Sequence, residues 1–285
     1  MNKKFYLQGK DLKDEIVSRF NNVWFEWNIT YHCNFRCPYC FFDGKWEEYG
    51  PRTVFKSPKE WATLWKRIED MYGEVFLVVS GGEPFSYPGF ADMAARVSKM
   101  HYMNISTNAS GDLDEFISKV NPERVSLTLA FHPEYTRLPD IIWRVKKLKA
   151  AGFRIDYINL CAWPPYIGRL NGYVTLAEEE NMMLKVIPFC GVYKGQNYPD
   201  SYTAEEKKIL GMDSSWEESV SRKGSLCMAG YRTALIYPDG KVARCGQMGE
   251  KYLVGNFFDR GFELLKEPLP CEAERCPCLE APPAE

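Results

Sequence analysis

The sequence predicts an α/β fold: a parallel sheet forming a partial (β/α)6 barrel, followed by a small cysteine-rich β-hairpin domain. Between residues 23 and 189, short apolar runs alternate with segments of helical periodicity, as in βαβ units with right-handed crossovers. Six such units are too few to close an eight-stranded barrel, so we expect an open one. Beyond residue 225, a Pro-Asp-Gly turn stands among five cysteines, which predicts a hairpin.

The elements of the barrel follow in order along the chain. We predict strands at 23–30, 74–79, 102–106, 124–130, 153–160 and 184–189, and helices at 58–71, 88–100, 113–120, 139–151 and 170–181. Ser57 before Pro58 is typical of a helix start, and Gly152 of a helix end. The predicted domains are an N-terminal extension at 1–22, the barrel at 23–195, a bridging segment at 196–224 and the cysteine-rich domain at 225–285.

The composition excludes several classes of partner. The 285 residues carry a formal net charge of −2, which does not suit a broad basic surface for nucleic acid. No apolar run reaches the roughly 18 residues of a membrane span, and the first residues lack the pattern of a signal peptide. We therefore expect a cytoplasmic protein without nucleic-acid or membrane partners. In a reducing compartment its ten cysteines are better explained by metal binding than by disulfides.

Three of these cysteines form a compact motif. Cys33, Cys37 and Cys40 have the spacing C-x3-C-x2-C directly after the first predicted strand. Three thiolates so close together can bind three irons of a 4Fe–4S cluster and leave the fourth iron open. Zinc is the alternative, but it prefers four ligands, and the fourth would have to come from a distant part of the chain.

The triplet, with Tyr39 before its last cysteine, resembles the signature of radical S-adenosylmethionine (SAM) enzymes. The run from Ser80 to Pro84 (Ser-Gly-Gly-Glu-Pro) follows the second strand and resembles the second motif of that family. An ordinary strand-to-helix turn is the alternative explanation of this run. The resemblance implies a SAM-binding 4Fe–4S cluster, cleavage of SAM to a 5′-deoxyadenosyl radical, and hydrogen abstraction from a substrate. It also implies an external one-electron reductant such as flavodoxin or ferredoxin.

The resemblance also assigns residues that contact SAM. It places the Gly-Gly-Glu-Pro run at the methionine part of SAM, with Glu83 accepting a hydrogen bond from its ammonium group. Thr107 and Asn108 follow the third strand, Ser126 lies in the fourth strand, and Arg137 follows the fourth strand. Tyr39 and Ile187 would flank the adenine of SAM. The full predicted set is Tyr39, Gly81, Gly82, Glu83, Pro84, Thr107, Asn108, Ser126, Arg137 and Ile187. Of these, Arg137 would pair with the SAM carboxylate, for which a guanidinium is well shaped.

The cysteine-rich segment predicts a second metal site. The hairpin would bring Cys227 near Cys245, and Cys271, Cys276 and Cys278 follow it. This pattern resembles the SPASM and twitch extensions of radical SAM proteins, which carry auxiliary 4Fe–4S clusters. Five cysteines stand where seven are usual for two such clusters, so we expect one auxiliary cluster. Which two of the last three cysteines complete it stays open, and a zinc ribbon is the alternative.

Two further cysteines, Cys161 and Cys190, follow the fifth and sixth predicted strands and would face the mouth of the barrel. A thiol there can return a hydrogen atom to a substrate radical, as in some radical SAM epimerases, although buried cysteines more often only pack. An auxiliary cluster instead offers an outlet for an electron and favours dehydrogenation. We predict an oxidoreductase that dehydrogenates a small polar metabolite of the sugar or alcohol type. The short segment before the first strand, too short for a leader-binding domain, favours such a small molecule over a peptide substrate.

Three alternatives to this function stay open. The first is epimerisation of a sugar or peptide residue, with Cys161 or Cys190 as hydrogen donor. The second is another modification of a ribosomally made peptide. The third is a protein without catalytic activity that carries electrons between iron–sulfur proteins.

Overall fold

The computed structural model describes residues 23–42, 45–212, 223–273 and 276. Its central feature is a nine-stranded sheet with the order β12-β11-β10-β1-β2-β3-β4-β5-β6. The strands of this sheet are β1 Trp24–Thr30, β2 Phe76–Gly81, β3 Tyr102–Thr107, β4 Val125–Ala130, β5 Arg154–Ala162, β6 Leu184–Pro188, β10 Thr233–Ile236, β11 Lys241–Ala243 and β12 Leu253–Asn256. The helices are α1 Trp46–Tyr49, α2 Pro58–Tyr72, α3 Phe90–Val97, α4 Leu113–Lys119, α5 Leu138–Ala150, α6 Leu170–Glu179 and α7 Ala204–Leu210. Short strands pair outside this sheet: β7 Gly191–Tyr193 with β8 Gln196–Tyr198, and β9 Leu226–Cys227 with β13 Leu269–Pro270.

The first six strands run parallel to one another in chain order. This confirms the predicted α/β fold with a parallel sheet, and all six strands begin and end within two residues of the predicted positions. Helix α2 begins at a capping box in which the side chains of Ser57 and Glu60 each accept a hydrogen bond from the other's backbone N–H. In the described residues, β1 and β6 are five strands apart and do not pair with each other.

The sheet has an apolar face and a polar face, because side chains alternate along each strand. On the apolar face, Trp27 of β1 is fully buried and its ring centroid lies 4.7 Å from that of Trp61 and 5.0 Å from that of Trp65, both in α2. What we call the polar face carries Asn28, Ser80, Asn104, Ser126 and Asp156. The Ser80 hydroxyl donates to Asn28 Oδ1 at 2.6 Å, and the Asn104 amide to Asp156 Oδ2 at 2.7 Å.

The C-terminal strands extend the same sheet. Strand β10 pairs parallel to β1, with Trp24 opposite Thr233, and β11 returns antiparallel to β10 after the turn at 238–240. The hairpin predicted from Pro-Asp-Gly therefore adds to the edge of the parallel sheet. The domain boundaries stay predictions, and the extension at 1–22 and residues 213–222 of the bridging segment lie outside the described residues. No helix among those described is long and apolar enough to cross a membrane.

Candidate active site at the carboxyl edge of the sheet

The cysteine loop and the glycine-rich loop lie against each other at the carboxyl ends of β1 and β2. The Gly82 N–H donates to the Thr30 carbonyl at 2.6 Å, and the Glu83 N–H to the His32 carbonyl at 2.8 Å. A Cβ atom on Gly82 would lie 2.1 Å from the His32 carbonyl oxygen. Only glycine permits so close an approach, so this residue fixes how the two loops pack.

The carboxylate of Glu83 connects these loops to the end of β3. It is 2% exposed and accepts hydrogen bonds from the Thr107 hydroxyl at 2.5 Å and from the N–H groups of Asn108 at 2.8 Å and Phe85 at 3.0 Å. Burial raises the pKa of Glu83, and these three hydrogen bonds to the charged form oppose that rise. In the structure Glu83 therefore holds the loops together, and its predicted contact with the ammonium group of SAM stays a prediction.

A second hydrogen bond joins the cysteine loop to the loop after β3. The Asn108 amide donates to Asn34 Oδ1 at 3.0 Å, and the Asn34 amide donates to the Ser110 hydroxyl at 2.8 Å. Sequence reasoning missed Asn34, because nothing in its spacing indicates a partner 74 residues away. The loops after β1, β2 and β3 thus form one connected unit.

The thiols of Cys33, Cys37 and Cys40 lie within electrostatic reach of one another. Burial raises the pKa of each thiol, that of Cys37 to about 12. Hydrogen bonds from the Phe35 N–H to Cys33 Sγ, at 3.4 Å, and from the Phe42 N–H to the Cys40 thiol act in the opposite direction. Metal ligation requires thiolates, so three adjacent thiols with nearby N–H donors fit an iron–sulfur cluster. In the described part of the chain, no three His, Cys, Asp or Glu side chains gather in the manner of a site for one metal ion.

A histidine from the loop after β4 contacts this cysteine loop. His132 Nδ1 lies 3.3 Å from Cys37 Sγ and 3.1 Å from the Tyr39 hydroxyl, which donates to Glu134 Oε2 at 2.8 Å. Burial lowers the pKa of His132 to about 4, so the ring is neutral near pH 7. Burial and the neighbouring acids also raise the pKa of Tyr39 above its usual range. Tyr39 is therefore held at this edge as a neutral aromatic side chain.

Cys161 is brought into the same region. It stands opposite Ile187 in the β5–β6 pair. Burial raises the pKa of the Cys161 thiol above its usual range, and Cys190, Cys37 and Cys40 each raise it further by electrostatic repulsion. The structure thus brings Cys161 near Cys37 and Cys40 of the triplet, and Cys190 near Cys161. Cys190 is exposed and Ile187 is 40% exposed.

Two predicted SAM contacts lie elsewhere. Ser126 is the second residue of β4 and stands opposite Asn104, three residues before the end of β3, or about 10 Å below the carboxyl edge. Its hydroxyl donates to Asp156 Oδ2 at 3.0 Å. Arg137 precedes α5, has an 82% exposed side chain and pairs with Asp140 at 2.9 Å. Neither is joined to the cysteine loop by a hydrogen bond within the residues described, so both roles stay predictions.

A second group of cysteines lies near the opposite edge of the sheet. One pocket, here called the C-terminal cysteine pocket, has walls formed by Trp24 and Glu26 of β1 and by the four thiol-bearing residues Cys227, Cys245, Cys271 and Cys276. Burial raises the pKa of Cys245, and the nearby Cys227 thiol raises it further. Four thiols around one pocket fit a fully ligated 4Fe–4S cluster. The predicted ligand Cys278 lies outside the described residues.

The two groups of cysteines are separated by the length of β1. Trp24 lies six residues before Thr30, the end of the strand that leads into the cysteine loop. At about 3.3 Å per residue, six residues span roughly 20 Å. A molecule that contacts both groups of cysteines must therefore extend along the sheet. Without such a molecule, an electron passing from one group to the other must cross this distance.

Comparisons with known proteins agree with this geometry. The family model of the Radical SAM superfamily matches residues 27–160, a segment that contains the cysteine loop, the glycine-rich loop and the end of β3. Among solved structures, anSMEcpe with bound AdoMet is 15% identical with a TM-score of 0.61, over 83% of this chain and 78% of that one. Streptococcus suis SuiB bound to S-adenosylmethionine is 15% identical with a TM-score of 0.59, over 87% and 68%. At this identity the likeness shows a shared fold. No curated protein has significant sequence similarity to the chain.

Proposed function

We propose that this chain, whose residues 27–160 match the family model of the Radical SAM superfamily, is an enzyme that binds SAM at the carboxyl edge of its sheet and abstracts a hydrogen atom from a substrate there. The observation that carries this proposal is the connection of three loops through Glu83, because it joins the cysteine triplet to the residues predicted to contact SAM. An external one-electron reductant, flavodoxin or ferredoxin, is part of the proposal, as is a cytoplasmic location.

The residues of the chain would divide the work of binding. Cys33, Cys37 and Cys40 would hold a 4Fe–4S cluster that, when bound, supplies the electron for reductive cleavage of SAM to methionine and a 5′-deoxyadenosyl radical. Gly81 and Gly82, which pack closely on the backbone of Thr30 and His32, would let the chain approach the methionine part. The other predicted contacts at this edge are Tyr39, Pro84, Thr107, Asn108 and Ile187. The aromatic side chains around Tyr39, including Trp163 at 5.8 Å between ring centroids, would keep water from the adenine side.

We propose oxidation as the outcome. After hydrogen abstraction, the substrate radical would lose a proton to solvent and an electron to an auxiliary cluster, so that the product lacks two hydrogen atoms. The gathering of Cys227, Cys245, Cys271 and Cys276 around one pocket supports this outlet for the electron. The pocket also borders β1, the strand that leads into the cysteine loop.

Epimerisation is the second candidate, and one observation favours it. Cys161 lies within electrostatic reach of Cys37 and Cys40, and Cys190 lies near it. A thiol in this position can give its hydrogen atom to the substrate radical. The resulting thiyl radical then takes one electron and one proton to return to the thiol, so the reductant would serve both steps.

The substrate class is proposed from the polar face of the sheet. Asn104, Ser126 and Asp156 are hydrogen-bonded to one another on the polar face of the sheet, and covering such polar groups with an apolar substrate would be unfavourable. This supports a small polar metabolite of the sugar or alcohol type. A peptide is the alternative, since anSMEcpe has been solved with a Kp18Cys peptide and SuiB with the precursor peptide SuiA.

Deuterated water distinguishes the two outcomes. The enzyme is incubated anaerobically in deuterated water with SAM, reductant and a pool of polar metabolites or peptides. The product masses are then measured by mass spectrometry. Oxidation gives a product lighter by two hydrogens whether or not Cys161 and Cys190 are replaced by alanine. One deuterium retained at an inverted carbon, and lost in Cys161→Ala or Cys190→Ala, would replace oxidation by epimerisation.

A further inference from the structure

A single arginine, Arg244, is buried beside the C-terminal cysteine pocket and lines it. It is 3% exposed. Its Nε donates to the Ala229 carbonyl at 2.8 Å, one terminal nitrogen donates to the Pro270 carbonyl at 2.8 Å, and the other donates to the Leu269 carbonyl. Each of the three guanidinium nitrogens thus donates to a backbone carbonyl in one of two other segments of the chain.

These hydrogen bonds lie next to three of the four cysteines. Cys227 is two residues before Ala229, and Cys271 directly follows the carbonyl of Pro270. Arg244 itself directly precedes Cys245. One guanidinium therefore fixes the relative positions of three cysteine-bearing segments that are distant in sequence, as a rigid planar group with several donors can do.

The surroundings of Arg244 are shaped to receive its stem. Gly230 has a φ of +85°, and a Cβ atom there would lie 3.0 Å from Arg244 Cγ and 2.7 Å from Leu265 Cδ1. The guanidinium carbon lies 5.4 Å from the centroid of the Tyr252 ring, within the range of a cation–π contact. The space beside Gly230 and the ring of Tyr252 therefore match the stem and the charged end of an arginine side chain.

The charge of this arginine needs an anion. Among the residues that the structure describes, its hydrogen bonds go to carbonyl oxygens and no Asp or Glu forms an ion pair with it. Burying a charge without a counterion is unfavourable. Glu26 lines the same pocket on the side of β1. Four thiolates holding an iron–sulfur cluster in this pocket would supply such an anion, because Arg244 lines the pocket together with the four cysteines.

We propose that Arg244 is a positioning residue for the C-terminal cysteine pocket and supplies the positive charge that offsets an anionic iron–sulfur cluster bound there. This inference depends on the auxiliary cluster of the proposed function. A nearby cation stabilises the reduced, more negative cluster more than the oxidised one. Arg244 therefore raises the reduction potential of the cluster and makes it a better electron acceptor.

The test uses the full chain with Cys33, Cys37 and Cys40 replaced by alanine, so that only the C-terminal site contributes. In this background Arg244→Met removes the charge and the hydrogen bonds, and Arg244→Lys keeps the charge without the planar fork. Arg260→Met is the control, since it removes the same charge from an exposed position of the same segment. The readouts are iron content per chain and a redox titration followed by electron paramagnetic resonance.

The parent protein is expected to hold about four irons. At a fixed potential, Arg244→Met should show a ratio of reduced to oxidised cluster about tenfold lower, equivalent to a midpoint potential lower by about 59 mV for a one-electron couple. Arg260→Met should leave the midpoint potential unchanged. Arg244→Lys should keep the midpoint but bind less iron.

Two results would count against different claims. Full iron content and an unchanged midpoint in Arg244→Met would overturn the role of Arg244 and leave the auxiliary cluster standing. A parent protein that holds zinc or no metal at this site would instead overturn the auxiliary cluster itself. If Arg244→Met does not fold, Arg244→Lys decides, because full iron content in that variant would overturn the positioning role.

Discussion

The buried carboxylate of Glu83 is the residue on which the arrangement of three loops depends. Its two oxygens accept hydrogen bonds from two residues at the end of β3 and from one backbone N–H of the glycine-rich loop. Its own backbone N–H donates to the His32 carbonyl of the cysteine loop. The motif resemblance identified Glu83 and its neighbours Gly81 and Gly82. Its contacts could not be predicted, because they depend on how the end of β3 packs against the glycine-rich loop.

Glu83→Gln should disturb this arrangement while keeping the size of the side chain. The amide NH2 would face one of the three donors, so a buried donor is left unsatisfied. We expect the free energy of unfolding in urea to fall by about 1–3 kcal/mol, with weaker binding of SAM. Glu263→Gln is the control, since Glu263 forms a largely exposed pair with Lys266 and should change stability by less than about 0.5 kcal/mol. Equal effects of the two substitutions would contradict the role of Glu83.

At the scale of elements, strands and helices could be predicted because their apolar periodicity is strong. The six parallel strands coincide with short runs of buried residues, and helix α2 begins at the position that Ser57 and Pro58 predict. Two features could not be predicted from periodicity. The pairing of β10 with β1 joins segments about 200 residues apart, and Ser126 lies near the start of β4, although the resemblance assigned it a contact with SAM.

The packing of β1 against the loop after β2 gives a prediction for this scale. Gly82→Ala would place a methyl group 2.1 Å from the backbone oxygen of His32, which has no flexible end to move. We expect loss of the iron bound by the triplet and a clearly lower midpoint of thermal unfolding. Gly168→Ala is a matched control, because a Cβ atom there meets nothing within 4 Å. Normal iron content in Gly82→Ala would show that the two loops are not fixed by this contact.

At the scale of the whole molecule, two cysteine groups lie near opposite edges of one sheet. The first follows β1 at its carboxyl end, and the second surrounds a pocket that includes Trp24 near its amino end. The cysteine spacing predicted both groups. It could not predict that the second borders β1, nor that Arg244 joins its segments, because an arginine before a cysteine has the pattern of an ordinary strand end.

The central claim is that the triplet at the carboxyl end of β1 supports cleavage of SAM. The direct measurement is the amount of 5′-deoxyadenosine formed when the anaerobically reconstituted protein is incubated with SAM and dithionite. We predict 5′-deoxyadenosine from the unmodified protein and none above background from the variant in which Cys33, Cys37 and Cys40 are alanine. Cys190→Ala, which leaves the triplet intact, should still form it. No product from the unmodified protein, as for an electron carrier, or equal product from the triple variant would contradict the account.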